Sequence, residues 1–334
     1  KGLINALSKR YSWPPPDDRR SLDSAYADAM RTVYNAFPHD PDVAVLFADA
    51  LMNLRPWDLW TPDGVAQPGT PEVVHTLEKV LEKHPDHPGA CHFYIHTMEA
   101  SPYPYKAMLA ADALRNRIPG AGHLVHMPSH IDIRLGHYEN AITANAKAII
   151  ADSIWAPAGG FYTMYRAHNY HFLAYAAMFD GQQQKALKAS REMVEQIPLE
   201  LVREIPEFLD GFIAVPTHVM VRFGMWEELI AQPEPPLDLY LTRAFWLYGR
   251  TVAFAALGRV EEGEAAYDAL LSAYDEVPDS RLIGNNAGKT VLDIGLLMAK
   301  GELEYRKENY DEAFDLLRKA VQKDDSLRYD EPWG

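Results

Sequence analysis

The feature that most constrains this chain is a pair of histidine pairs set one repeat apart. His92 and His96 are four residues apart, as are His126 and His130, and each member of the second pair follows its counterpart by 34 residues. A spacing of four puts two side chains on one face of an α-helix. A period of roughly 20–50 residues marks supersecondary units that bury their apolar faces only by stacking on one another. The register extends further. Pro128-Ser129-His130-Ile131-Asp132-Ile133-Arg134-Leu135-Gly136-His137-Tyr138 aligns with Pro216-Thr217-His218-Val219-Met220-Val221-Arg222-Phe223-Gly224-Met225-Trp226. His123 and His126 precede Gly136 by the same distances as His168 and His171 precede Gly181. The expectation is an all-α chain of stacked antiparallel helix pairs that carries its histidines on one face.

Composition narrows the possible partners. The 47 acidic residues outnumber the 32 basic ones, for a net charge of −15. That charge repels phosphate backbones and anionic lipid, so nucleic acid is not an expected partner. The single cysteine, Cys91, leaves no internal disulfide to form and is expected to pack in the core. No apolar run approaches the ~20 residues of a membrane span, so a soluble protein of cytoplasm or periplasm is expected. The chain starts at Lys1 and stops at Pro332-Trp333-Gly334 just after a helical repeat, which reads as a trimmed fragment that would not show a targeting peptide.

Along the chain, residues 1–70 read as a helical cap with a Trp-rich loop. A short helix around Leu3, Ile4 and Leu7 must end before Pro14. Ser21 to Phe37 is predicted helical with Ser21 as its cap, and Asp42 to Leu54 follows. The loop Arg55 to Thr70 contains Pro56-Trp57-Asp58-Leu59-Trp60, which serves either as a hydrophobic plug over the core or as a ligand lid. Residues 71–323 read as repeats, with helices predicted at 71–83, 89–101, 105–117, 122–135, 139–151, 161–179, 183–196, 206–223, 239–257, 260–274, 287–300 and 309–321. Leu135-Gly136-His137-Tyr138, Phe223-Gly224-Met225-Trp226 and Leu257-Gly258-Arg259-Val260 mark turns from first to second helix. Asn309-Tyr310-Asp311-Glu312-Ala313 repeats that turn without the glycine. Ala141, Ala144 and Ala148, and later Ala265, Ala266 and Ala269, are the expected points of close helix approach. Residues 324–334 read as a truncated C-terminal extension.

From about residue 40 to 323 this pattern of turns and small residues resembles tetratricopeptide repeat (TPR) proteins. Within them, Pro56-Trp57-Asp58-Leu59-Trp60, His87-Pro88-Gly89-Ala90, Ile95-His96-Thr97-Met98-Glu99-Ala100-Ser101 and the specific His126-Met127-Pro128-Ser129-His130-Ile131 motif look like those of a bacterial TPR group. The resemblance covers nearly the whole chain. It implies a TPR-like α-solenoid with a His-lined concave face and brings no activity with it.

The chemistry must therefore be read from the residues. His92, His96 and Glu99 share one helix face, as do His123, His126 and His130. Imidazoles from neighbouring helices can meet at one ion with metal–nitrogen distances near ~2 Å. The expected metal ligands are His92, His96, His126, His130, His168 and His171, holding a divalent copper, zinc or iron ion. Glu99 and His123 are the candidate catalytic groups, Glu99 as a ligand or as a general base toward a metal-bound water. Tyr94, Trp57, Tyr175, His218 and Arg134 are candidates for contacting a substrate or supporting the ligands. Two functions compete on these residues. One is a metal-dependent enzyme, redox or hydrolytic, acting on a small molecule or peptide in the concave groove. The other is a TPR scaffold that holds a peptide or protein without catalysis.

Overall fold

The structure is a computed structural model and describes residues 1–154 and 161–331; the last three residues of the expected C-terminal extension lie outside the described residues. Chain contacts divide it into two compact units, Lys1–Ala151 and Asp152–Gly334. The boundary falls inside the stretch that the sequence presents as one repeat array, as is natural where each helix pair touches only its neighbours.

The first unit is built from α1 (Gly2–Leu7), α2 (Arg20–Ala36), α3 (Pro41–Met52), α4 (Thr70–Lys83), α5 (Pro88–Met98), α6 (Met108–Leu114), α7 (Gly122–His126), α8 (Pro128–Arg134) and α9 (Tyr138–Ser153). Prolines open several of these helices, where the missing N–H costs nothing. Pro41 starts α3 behind an Asp40 cap whose side chain accepts from the Val43 amide. Pro88 starts α5, and the His87 ring nitrogen accepts from the Ala90 amide. The second helix departs from expectation. It starts at Arg20 with no side-chain cap on its N-terminal residue, and Asp18, not Ser21, accepts the Arg20 amide at 3.0 Å. Phe47, Met30, Leu77, Ile95 and Met98 are fully buried in a core that runs through α2 to α5. The Trp-rich loop braces this core from outside: the Trp60 indole N–H donates to the Thr97 carbonyl at 2.7 Å, tying the loop to the histidine-bearing α5. Leu59 and Trp60 therefore act as the plug, whereas Trp57 is 65% exposed in a left-handed conformation, φ 54°.

The second unit comprises α10 (Phe161–Phe179), α11 (Gln183–Gln196), α12 (Leu199–Glu204), α13 (Pro206–Ile213), α14 (Val215–Arg222), α15 (Trp226–Ile230), α16 (Tyr240–Ala256), α17 (Val260–Glu276), α18 (Gly288–Arg306) and α19 (Tyr310–Asp324). Between α17 and α18 sits a hairpin of two short antiparallel strands, β1 (Leu282–Ile283) and β2 (Asn286–Ala287). No central sheet occurs among the described residues. Of the three alanines of α17, Ala266 is buried and Ala269 packs against the core. Ala265 is exposed, and the expectation missed a further close approach at Gly263, where a Cβ would stand 2.7 Å from Leu303 Cδ2.

The turns show the repeat most clearly. Gly136 and Gly224 adopt φ 78° and 65°, the left-handed region that glycine enters without strain, and each closes its helix through a bond that spans five residues. His137 N donates to Asp132 O at 2.8 Å, and Met225 N donates to Met220 O at 3.0 Å. The turn without glycine makes the same bond, Asn309 N to Glu304 O at 2.9 Å, with Glu308 forced to φ 66°. This recurring helix–turn–helix unit makes the fold TPR-like.

Two first helices predicted as continuous are broken. The stretch 122–135 divides into α7 and α8, and 206–223 divides into α13 and α14. The cause is shared: Pro128 and Pro216, in register, each lack the N–H that would continue the ladder and crowd the preceding turn. His126 and His130 thus stand on either side of a break.

Candidate metal centre

The first unit gathers five imidazoles and one carboxylate. Helix α5 supplies His92 and His96, and Glu99 follows as its C-terminal cap residue. His123 and His126 lie on α7, and His130 lies on α8. Ring centroids run in a chain, with His92–His96 at 4.9 Å, His92–His123 at 5.0 Å, His96–His130 at 5.2 Å and His126–His130 at 4.6 Å. The array has an open and a closed part. His92, His96 and His123 are partly exposed, whereas His126 and His130 have no solvent exposure.

In the open part, the ligating atoms of His92, His96 and His123 all lie within 4.8 Å of one another, and the Nε2 atoms of His92 and His123 are 3.0 Å apart. A similar grouping holds for His96, Glu99 and His130, whose candidate ligand atoms also lie within 4.8 Å. These clusters could hold a metal ion.

Glu99 joins the two parts. One carboxylate oxygen accepts from His96 Nδ1 at 2.8 Å, and the other accepts from His130 Nδ1 at 2.6 Å. Burial alone would raise this carboxyl. The charges and hydrogen bonds of His130 and His96 outweigh that and hold it ionised, well below the usual carboxylate range. In the neutral form of these rings, with each Nδ1 proton committed to Glu99, the Nε2 atoms of His96 and His130 carry lone pairs, the state a metal ligand requires.

Asn145 on α9 does the same for His126. Its amide N–H donates to the Ala141 carbonyl at 2.8 Å, which turns its oxygen toward His126 Nδ1 at 2.7 Å. Sequence reasoning missed Asn145. Its signal was a lone polar residue on the alanine face of α9, beside Ala141, Ala144 and Ala148.

The remaining predicted residues make contacts of their own. Tyr94 is buried and donates to Glu78 Oε1 at 2.8 Å, which turns it toward α4. Arg134 is exposed on α8, and Trp57 projects from its loop. Cys91 is buried, its thiol within 3.5 Å of the Pro85 carbonyl and pushed up to about 11 by burial, as expected of a packing residue. In the second unit, His168 meets the Phe172 ring edge to face and lies 3.8 Å from Glu331, and Tyr175 packs on Phe179. His171 meets Phe212, and the ring of His218 is enclosed by Phe245 and Tyr248.

Burial pushes His171 down to about 3, with His218 adding to the effect, and burial pushes His218 down to about 4. Both rings stay neutral in the folded state while an unfolded imidazole titrates near ~6.5. Between those values the unfolded chain binds more protons, so stability is full above pH ~6.5 and falls as the medium is acidified. Denaturant unfolding of the wild-type protein should show this loss, at most ~1.4 kcal/mol per pH unit for each histidine. His171→Gln should remove roughly half of the slope. An unchanged slope would show that these rings titrate normally.

No known protein family matches the chain, and no curated protein matches its sequence. Solved structures match at low identity. Yeast Tom70 aligns over 98% of this chain and 60% of its own at 13% identity, TM-score 0.46. Human IFIT1, in a dimer with m7Gppp-AAAA, aligns over 90% of this chain and 64% of its own at 13% identity, TM-score 0.44. The chain thus spans less than two thirds of the length of those proteins. No helix among the described residues is long and apolar enough to cross a membrane.

Proposed function

We propose that this chain is a metal-dependent helical-repeat protein whose ion is held by His92, His96 and His123. The observation behind this reading is the meeting of three imidazole nitrogens from two helices in a partly exposed position, with Glu99 fixing the ring of His96. Three nitrogen donors leave a coordination position open, the arrangement of catalytic rather than purely structural sites. At such a position zinc supplies an activated water, and copper or iron supplies redox chemistry toward a small molecule or peptide. The sulfur-free donor set suits all three metals. Glu99, with both oxygens taken by imidazole N–H groups, acts as an orienting carboxylate rather than as the base toward a bound water.

The test is elemental analysis of purified protein, paired with thermal unfolding. Wild-type protein should retain a first-row metal. Added Zn(II) or Cu(II) at ~100-fold over Kd should stabilise the stripped protein by ~2.7 kcal/mol. His96→Ala should lose the ion of the open trio, and the part of the thermal shift that ion supplies, while keeping its helical circular dichroism. Protein that retains no metal and shows no thermal shift would instead be a scaffold for a peptide or protein partner.

A further inference from the structure

We propose that His126 and His130 form a second cation position, adjacent to the one made by His92, His96 and His123, and that it takes a nitrogen-preferring divalent transition-metal ion. The inference rests on reading the open trio as a metal centre.

The argument starts from two protons. His126 Nδ1 faces Asn145 Oδ1, and that amide cannot be turned round without losing its bond to the Ala141 carbonyl. Ser129, also near this nitrogen, has its single hydroxyl proton directed to the His126 carbonyl at 2.7 Å. His126 Nδ1 must therefore carry the ring proton. His130 Nδ1 faces a carboxylate oxygen of Glu99 at 2.6 Å and carries its proton for the same reason. A neutral imidazole has one N–H, so both Nε2 atoms present lone pairs. Yet these two atoms are 2.7 Å apart, and neither ring has solvent exposure. Two lone pairs at that separation repel, and a cation bound by both relieves the contact.

The spacing suits an ion. Nitrogens at ~2.0 Å from one metal are ~2.8 Å apart at a right angle and ~3.3 Å apart at the tetrahedral angle. The inner contact matches adjacent ligands of a square-planar or octahedral ion. A shared proton would also relieve the contact, but Glu99 favours metal. It grips His130 as it grips His96 of the open trio, one oxygen to each Nδ1. A carboxylate behind a histidine is the support that metal-ligating imidazoles recurrently have. Glu99 thus stands behind both positions at once.

The experiment is a Cu(II) titration of the metal-stripped full chain, with bound copper counted after desalting. Wild-type protein should take two equivalents. His126→Gln/His130→Gln should take one, as should His92→Gln/His123→Gln, and the quadruple variant none. One equivalent in the wild type, lost in the trio variant and kept in the inner-pair variant, would overturn the second position and leave the trio intact; the inner contact would then hold a proton only. Two equivalents kept by the inner-pair variant would overturn it as well. No copper in the wild type would overturn both readings. Electron paramagnetic resonance of the wild type needs no variant to fold: the second equivalent should broaden the signal of the first. Two simply additive signals would refute adjacent ions.

Discussion

Glu99→Leu should destabilise the metal-free protein by about 3–5 kcal/mol. Glu99 is 2% exposed, and its two oxygens are the acceptors for the Nδ1 protons of His96 and His130. Leucine fills the space and accepts neither. The N–H of His130 is then left in a site closed to water, where an unmade bond costs about 1–3 kcal/mol, more where charge is involved. The same change should weaken metal binding by about 10–100-fold, because the rings lose what fixes their tautomer and aim. Glu99→Gln separates the two roles. It keeps one acceptor oxygen but turns an amide N–H toward the second imidazole, so it should retain most of the stability and lose much of the affinity. Guanidinium unfolding and copper titration would measure both. A Glu99→Leu protein within ~1 kcal/mol of wild type would show that the bridge does not support the fold.

Asp210→Ala should be comparably damaging in the second unit, by about 3–5 kcal/mol. Asp210 has no solvent exposure and sits on α13, yet it caps α16. Its carboxylate accepts from the Leu241 amide at 2.9 Å and the Thr242 amide at 3.0 Å, with Arg281 Nε at 3.4 Å, and the Thr242 hydroxyl lies 2.6 Å from the Asp210 carbonyl and 2.8 Å from a carboxylate oxygen. Alanine would strand two amides at a helix start and remove the counter-charge of an arginine that is 8% exposed. Asp210→Asn retains one acceptor and should lose less. Equal losses for the two variants would mean that charge, not the capping bonds, carries the effect.

The sequence made the repeat and the histidine face legible for the same physical reason. Both are local rules with a fixed period: glycine at the left-handed turn and imidazoles four apart on a helix. The turn could even be read at Asn309 without its glycine, because the surrounding pattern persists. What escaped reading depends on partners distant in sequence. The alanine-rich face of α9 does not announce that Asn145 holds His126, nor does the α13 sequence announce that Asp210 caps a helix 30 residues later. Tyr94 shares a helix with His92 and His96, but two residues of offset point it to Glu78 instead. The hairpin at Leu282–Ala287 has strands too short to show any alternation. Pro128 is plain in the sequence, but the flanking apolar pattern runs on across it and masks the interruption.

That proline bears on metal choice. In an unbroken helix, histidines four apart ride on one ladder, and their chelate bite is set by the helix. Here the joint at Met127 is bridged by Met127 N to His123 O at 3.1 Å and by His130 N to Met127 O at 3.2 Å. Met127 is fully buried and keeps helical dihedrals, φ −48° and ψ −40°, so the two rings stay one helical turn apart although Pro128 donates no ladder bond. With Asn145 and Glu99 holding the far side of each ring, the bite is set by the protein, and it selects among ions by their preferred angle.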